Sequence, residues 1–216
     1  MTGDLWSMIG MGVLETLQMT VLSAIFSYLA GLPLGIILAV TKRGSILENR
    51  TVNTILGILV NIFRSIPFLI LLVVLIPVTR FLTGSSIGTT ATIVPLTVGA
   101  IPIVARMVES SLSEVDGGII EAAKSMGASP LQVIWQFILP EAVPSLLLGA
   151  AINLATILGY SAMAGCIGGG GLGAIALNYG YYRYQSEILF LTVIILIVIV
   201  QIFQESGIWL SARKRH

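Results

Sequence analysis

The uncharged apolar runs of this chain constrain its fold more than any other feature. Only 10% of the 216 residues are charged, against about 25% in soluble domains. A helix needs about 20 predominantly apolar residues to cross a hydrocarbon core roughly 30 Å thick. The sequence therefore predicts an all-α polytopic membrane protein that forms a single domain over residues 1–216. Its five predicted spans cover roughly residues 14–40, 52–80, 89–113, 141–164 and 187–210.

The uncharged run Ala142–Tyr182 is long enough for two crossings, but its second half argues against a second one. Six glycines lie between positions 165 and 173, and glycine at this density disfavours a lipid-facing helix. We therefore predict one crossing followed by a glycine-rich loop. At the other end, Asp4 and Glu15 leave the N-terminus without the positive segment of a cleavable signal peptide, so the first run is expected to be a membrane helix.

Basic residues predict the orientation, because they are enriched in cytoplasmic segments. With the N-terminus outside and the C-terminus in the cytoplasm, only Arg80 and Arg183 lie outside. Seven basic residues then lie inside, namely Lys42, Arg43, Arg50, Lys124, Arg213, Lys214 and Arg215.

Prolines interrupt several of the predicted spans. Each proline removes a backbone donor, and carbonyl groups freed within lipid need protein or water partners. Interrupted helices of this kind favour a translocation pathway or a hinge. The alternative is that proline is simply commoner in membrane helices than in soluble ones. The prolines concerned are Pro33, Pro67, Pro77, Pro95 and Pro102.

The longest segment predicted on the inner side, residues 114–140, is expected to be stiff. Glu121–Ser125 and Leu131–Phe137 are predicted to form short helices, joined by a turn at Gly127 that has positive φ. Ser129-Pro130 supplies an N-cap and a first helical residue for the second helix. A stiff element of this kind can transmit force to the membrane helices.

Leu139-Pro140 is expected to end the second short helix and return the chain to the membrane. An alternative for the whole segment is an amphipathic hairpin, with Trp135 and Phe137 resting in the lipid headgroups.

The same segment resembles the coupling loop of ABC importer permeases. Glu121-Ala122-Ala123, then Gly127 and Leu139-Pro140, are similar to the family signature E-A-A…G…I-x-L-P, and the intervening Ala128–Gln136 has the matching length. Phe137 replaces the usual isoleucine, which we interpret as altered packing. The resemblance implies a type I importer permease whose coupling helix docks on an ATPase. The implied docking and coupling residues are Glu121, Ala122, Ala123, Lys124, Gly127, Ala128, Ser129, Pro130, Leu139 and Pro140.

Further motifs narrow the resemblance to methionine importer permeases. Arg-Ser-Ile-Pro alone would also fit amino-acid permeases in general, and the stretch Gly159–Gly173 is the more specific. The segments that are similar to theirs are Ile62–Leu72, Ile93–Ala100, Ala105–Glu109, Gly159–Gly165, Gly168–Gly173 and Tyr179–Tyr181. The resemblance implies a bacterial inner-membrane subunit, embedded in lipid and without nucleic-acid contacts, that imports D- and L-methionine as a homodimer. Its implied partners are two ATPase subunits and an extracytoplasmic methionine-binding lipoprotein. Import of another amino acid or small neutral solute is the alternative.

No catalytic or cofactor site is expected in the chain itself. The run Gly168–Gly173 lacks the following Lys-Ser/Thr of a P-loop, so ATP and Mg are expected on the partner ATPase. One cysteine and one histidine provide no metal-binding pair.

The candidate pathway residues combine charges, prolines and residues in a small-residue stretch. Arg106 and Glu109 share a helix face, and we hypothesise that Arg64 pairs with Glu109 near the inner end of the pathway; the alternative is that both arginines snorkel to the headgroups. Met163 could act as a gate against its symmetry mate, or the stretch could serve ordinary helix packing. The full set is Arg64, Pro67, Pro102, Arg106, Glu109, Tyr160, Ser161 and Met163.

Two other classes of protein share this composition. A gradient-driven transporter or channel is disfavoured because acidic residues are absent at mid-span, where ion coupling usually places them. A membrane anchor that transports nothing is disfavoured by the proline-interrupted helices.

Overall fold

The computed structural model describes residues 2–214, and side chains from residue 4 onward. The regular secondary structure of this described part is entirely helical. The α-helices are α1 (Thr2–Thr41), α2 (Arg50–Ser65), α3 (Phe68–Val74), α4 (Ile76–Thr83), α5 (Thr89–Ser113), α6 (Gly117–Ser125), α7 (Pro130–Gln132), α8 (Leu139–Ala164), α9 (Gly171–Ile175) and α10 (Ser186–Arg213). Two π-helical segments, Val133–Ile138 and Ala176–Tyr181, and a 3₁₀ turn, Gly165–Ile167, complete the fold.

Four helical stretches of the described chain are long and apolar enough to cross a membrane: Asp4–Thr41, Thr89–Ser113, Pro130–Ile167 and Ser186–Arg213. A fifth crossing is available if α2 and α3, which are bent by 99° at a short break, count as one span. The predicted all-α membrane fold is therefore confirmed, with five spans when the bent pair is included.

The predicted second span, 52–80, is wrong as a continuous helix. Ile66 and Pro67 have ψ values of 122° and 132°, outside the helical region. The proline ring disfavours a helical conformation at the residue before it, so α2 ends at Ser65 and α3 begins at Phe68. A further break at Leu75 separates α3 from α4, which has a proline in its first turn.

Glycines let α1 and α5 approach closely along their length. A Cβ atom built on Gly31 would lie 2.7 Å from the Cβ of Val104, and one built on Gly35 would lie 2.6 Å from the carbonyl oxygen of Ala105. Small residues at such crossings allow helices in lipid to gain van der Waals contact. These two helices carry the centre of the bundle, where Leu38, Val104 and Ala105 are fully buried.

The glycine-rich stretch after α8 is more ordered than the predicted loop. Gly168 and Gly170 adopt positive φ and turn the chain, and α9 then packs into the core with Leu172 fully buried. The carboxylate of Glu15 accepts a hydrogen bond from the backbone N–H of Gly171 at 2.7 Å, and the hydroxyl of Thr16 accepts one from the N–H of Leu172 at 2.9 Å. The prediction of one crossing holds, but a short buried helix follows it.

Candidate docking loop and translocation pathway

Local hydrogen bonds make the predicted docking loop stiff. Asp116 caps α6 by accepting from the N–H of Gly118 at 2.6 Å. At the other end, the N–H of Gly127 donates to Lys124 O at 2.9 Å and that of Ala128 to Ala123 O at 3.1 Å. This pair of bonds is the Schellman motif that ends many helices. Gly127 has φ of +81°, as the sequence predicted.

A capping box starts the next helix at the predicted position. The N–H of Ser129 donates to Gln132 Oε1 at 2.8 Å, and the N–H of Gln132 donates to Ser129 Oγ at 3.4 Å. Pro130 follows as the first helical residue. Such a box satisfies two backbone donors that a helix start otherwise leaves free. The chain between α6 and α7 is therefore a short, hydrogen-bonded turn.

The predicted helix end at Leu139-Pro140 is wrong. The chain stays helical from Pro130 through Ala164, with a π-helical segment at Val133–Ile138 in which the N–H of Leu139 bonds to Ile134 O. Proline has no N–H and its ring crowds the carbonyl one turn earlier. A π-helical turn is one accommodation of such a disturbance. The docking loop is consequently continuous with the membrane span α8, with no non-helical residue between Pro130 and Ala164.

Ala123 attaches the loop to the membrane helices. Its side chain is completely buried in a cluster that includes Val104, Val108 and Leu112 of α5 and Val133 of the π-helical segment. Phe137 packs against the same cluster, whereas Trp135 is 63% exposed. The two aromatic residues of the hairpin alternative therefore lie in different surroundings, and Phe137 helps to fix the loop.

The opposite face of the loop is exposed and mixed in character. Glu121, Ala122 and Lys124 are exposed on α6. Apolar Met126 and Leu131, which flank the turn, are 70% and 66% exposed. Large apolar side chains left in the open beside charges are typical of a surface that binds another protein.

Three of the candidate pathway residues meet at the break in the second span. Arg64 lies in the last turn of α2, Pro67 lies at the break, and Tyr160 reaches the same place from α8. Arg64 and Tyr160 line a cavity of about 210 Å³, which lies beside the middle of α5 and is called the central cavity below. The rings of Phe68 and Tyr160 stack there with centroids 4.1 Å apart. Sequence reasoning selected these residues separately; the bend at Pro67 brings them together.

The hypothesised Arg64–Glu109 ion pair is wrong, because Glu109 pairs with Arg106. The Nη1 of Arg106 donates to Glu109 Oε2 at 2.6 Å, and its Nη2 donates to the carbonyl of Gly57 at 3.0 Å and to Asn61 Oδ1 at 2.9 Å. Arg106 therefore connects α5 to α2. The i,i+3 spacing places Arg106 and Glu109 on one face of α5, so this ion pair forms within a single helix, whereas a pair with Arg64 would have to join two helices.

The remaining candidates occupy separate positions. Pro102 is buried within α5 and lines a different apolar cavity, beside Val60 and Phe63. Ser161 is buried and donates to Leu158 O at 2.8 Å within its own helix, whereas Met163 is 45% exposed. Sequence reasoning also missed the role of Glu15, which accepts the N–H of Gly171 at the start of α9. The only indication in the sequence was the presence of an acidic residue beside an apolar run.

An α-helical bundle with a broken span, a cavity beside the break and a stiff loop between two spans is typical of membrane transport proteins. The family model described as "Binding-protein-dependent transport system inner membrane component" matches residues 31–215. The chain belongs to this family, as the sequence resemblance to importer permeases predicted, and is a multi-pass membrane component.

Individual relatives agree over nearly the whole chain. The protein is 52% identical, over 94% of its length and 90% of the relative's, to a probable D-methionine transport system permease protein MetI of Vibrio cholerae. It is 44% identical over the full length of both chains to the probable MetI of Pasteurella multocida. A solved structure of the MetNI methionine ABC transporter in inward-facing conformations contains a chain that is 45% identical, with a TM-score of 0.98 over the whole of both chains.

Proposed function

We propose that this protein is the non-catalytic membrane subunit of an ATP-driven importer that carries D- and L-methionine into the cytoplasm. The observation that supports this most is the full-length match, at a TM-score of 0.98, to a chain of a methionine ABC transporter. Relatives named as D-methionine permeases cover the same length. Import of another amino acid with an uncharged side chain is the second candidate, because the central cavity is lined by apolar and aromatic side chains besides Arg64.

The working unit in this proposal is a homodimer with two ATPase subunits. An ATPase pair closes on nucleotide between its two members, and each member needs a docking loop. This chain offers one such loop, formed by α6 and the turn at Gly127, so two copies are required. ATP and Mg belong to the ATPases, which act on the cytoplasmic side. An extracytoplasmic methionine-binding lipoprotein delivers the substrate on the side of the N-terminus, in a bacterial inner membrane.

Force transmission in this proposal uses two rigid connections. The buried Ala123 joins α6 to α5, and the unbroken helix from Pro130 joins the loop to α8. Both α5 and α8 supply walls of the central cavity, through Ile103 and Tyr160. Movement of the loop by an ATPase therefore displaces two walls of the cavity together. The permease would then have two conformations, and the binding protein and the ATPases would shift the equilibrium between them from opposite faces of the membrane.

A matched pair of glycine variants tests the coupling. Gly127 and Gly44 have φ of +81° and +79°, and a Cβ atom added to either glycine would meet no other atom within 4 Å. Proline, whose φ is fixed near −65°, is incompatible with either turn, but only Gly127 belongs to the docking loop. The assay is uptake of labelled methionine in cells that have no other methionine route and that carry the complete transporter.

We expect Gly127→Pro to abolish uptake at normal membrane levels, and Gly44→Pro to retain most of it. Transport that is indifferent to Gly127→Pro would contradict the coupling role of the loop. A wild-type protein that imports another solute and no methionine would replace the proposed substrate and leave the importer class in place.

A further inference from the structure

The central cavity lies at half the depth of the bundle. It is bounded by the end of α2, the start of α3, the middle of α5 and the last turns of α8, and its lining includes Arg64, Phe68, Gly99, Ile103 and Tyr160. Helix α5 has 25 residues and is about 37 Å long; Gly99 and Ile103 fall on either side of its midpoint. Substrate sites of membrane transporters commonly occur at this depth, beside interrupted helices.

Arg64 is the only charged residue among the described residues that line this cavity. Its side chain forms no hydrogen bond or ion pair with any residue of the described range 2–214, in contrast to Arg106, which has three acceptors. A charge within membrane depth is costly unless it faces water or a partner. The planar guanidinium group binds a carboxylate through two parallel hydrogen bonds, so an anionic group that enters the cavity meets a suitable donor.

The end of α2 offers the opposite polarity close by. The last carbonyl groups of a helix have no N–H partners within it and carry partial negative charge. Helix α2 ends at Ser65, one residue after Arg64, and the 99° bend directs α3 away from its axis. Cationic donors such as an ammonium group are stabilised at such a helix end. A guanidinium and a carbonyl terminus in adjacent positions complement a zwitterion.

The remaining wall is flat and apolar. The rings of Phe68 and Tyr160 are nearly parallel, at 4°. Gly99 allows this arrangement, because a Cβ atom there would come within 3.2 Å of the Phe68 ring. Thioethers make favourable contacts with aromatic rings, and none of the described residues that line the cavity is acidic and able to select a cationic side chain. The volume of about 210 Å³ suits a small solute rather than a drug-sized one.

We propose that this cavity is an intramembrane binding site for an α-amino acid with an uncharged side chain. Arg64 binds the α-carboxylate, the carbonyl end of α2 accepts the α-ammonium group, and the Phe68–Tyr160 pair contacts the side chain. The assignment rests on the proposed import of an amino acid and adds a site within the permease itself.

The test uses the complete transporter, with its ATPase and binding protein, in phosphatidylcholine vesicles that contain no anionic lipid. Labelled methionine uptake and ATP hydrolysis are measured for the wild type, Arg64→Gln, Arg64→Lys and the control Arg80→Gln, which removes an exposed arginine outside the cavity. We expect Arg64→Gln to lower the methionine transported per ATP by roughly tenfold, the loss of one charged hydrogen-bonding pair. Its ATP hydrolysis should stay within about twofold of the wild type, because Arg64 is not among the residues that pack the docking loop against α5.

Arg64→Lys should recover part of the transport, since lysine keeps the charge but not the planar donor pair, and Arg80→Gln should match the wild type. Unchanged transport per ATP in Arg64→Gln overturns the site, as does a parallel loss of transport and ATP hydrolysis. A defect that appears only when phosphatidylglycerol is added to the vesicles assigns Arg64 to a lipid headgroup and also overturns it. A wild type that imports no methionine contradicts the proposed function instead.

Discussion

Two adjacent alanines of the docking loop differ in burial, so substitutions at them test its packing against α5 and its exposed surface separately. Ala123 is completely buried against α5, whereas Ala122, on the neighbouring face of α6, is exposed. Leucine at either position adds the same three carbon atoms and has a similar helix propensity. The pair of variants therefore holds chemistry and chain position constant and changes only the surroundings. Ala123→Leu must displace packed side chains, and Ala122→Leu need not.

The expected difference follows from the cost of overpacking. Extra methylene groups in a packed core destabilise by about 1–3 kcal/mol, whereas exposed substitutions usually change stability by less than about 0.5 kcal/mol. At about 2–4 °C per kcal/mol for a chain of this size, Ala123→Leu should lower the apparent Tm by about 2–12 °C. Thermal unfolding of the purified permease in detergent measures this shift, and co-purification with the ATPase measures docking.

We expect Ala122→Leu to leave the Tm unchanged and to weaken co-purification, because the proposed ATPase surface includes this exposed face. Equal Tm shifts for the two variants would refute the burial argument. Normal co-purification of Ala122→Leu, at normal stability, would show that this face of α6 lies outside the docking surface.

Three further predictions follow from single contacts. Arg106→Met leaves the mostly buried Glu109 without its partner, so it should lower the Tm more than the double variant with Glu109→Met does; additive effects in this cycle would show that the pair is not coupled. Glu15→Leu removes the acceptor of the Gly171 N–H and should lower the free energy of unfolding by about 1–3 kcal/mol. Glu15→Gln keeps an acceptor and should retain most of the stability, so equal Tm shifts for the two variants would exclude the capping role. Gly35→Ala places a Cβ atom against Val108 and should destabilise the bundle. The control Gly10→Ala, whose Cβ atom would meet nothing within 4 Å, should be neutral or stabilising by up to about 1 kcal/mol. Thermal unfolding in detergent compares the two variants.

Local signals explain which parts of the docking loop the sequence could predict. Gly127 and Ser129 act through bonds to residues within five positions of them, so turn and cap preferences are sufficient to identify them. The helix through Pro140 was mispredicted because a proline can be accommodated by a π-helical turn. Val133 and Ile138 of this turn are buried in a cluster with residues of α5, a long-range contact that no local sequence pattern contains.

The broken span shows the same limit. Pro95 and Pro102 remain inside α5, whereas Pro67 accompanies a bend of 99°. The ring has the same local effect in each case; the difference is that the bend lets Phe68, Leu71 and Leu72 pack into the core. Glu15 could not be assigned either, because its hydrogen-bond partner lies 156 positions away. Contacts of this range depend on the assembled bundle.

The proposed coupling depends most on helix α5, because the segment Ile103–Leu112 makes three kinds of contact. Val104, Val108 and Leu112 hold the docking loop through Ala123. Arg106 ties the same helix to α2 through Gly57 and Asn61, two turns and one turn before Arg64. Ile103 forms part of the cavity wall. A displacement of the loop that moves α5 must therefore either carry α2 and Arg64 with it or break the Arg106 contacts. Since these contacts are charge-assisted, they favour movement of the guanidinium of Arg64 together with α5, and the proposed coupling would then place the state of the cavity under the control of the docking loop.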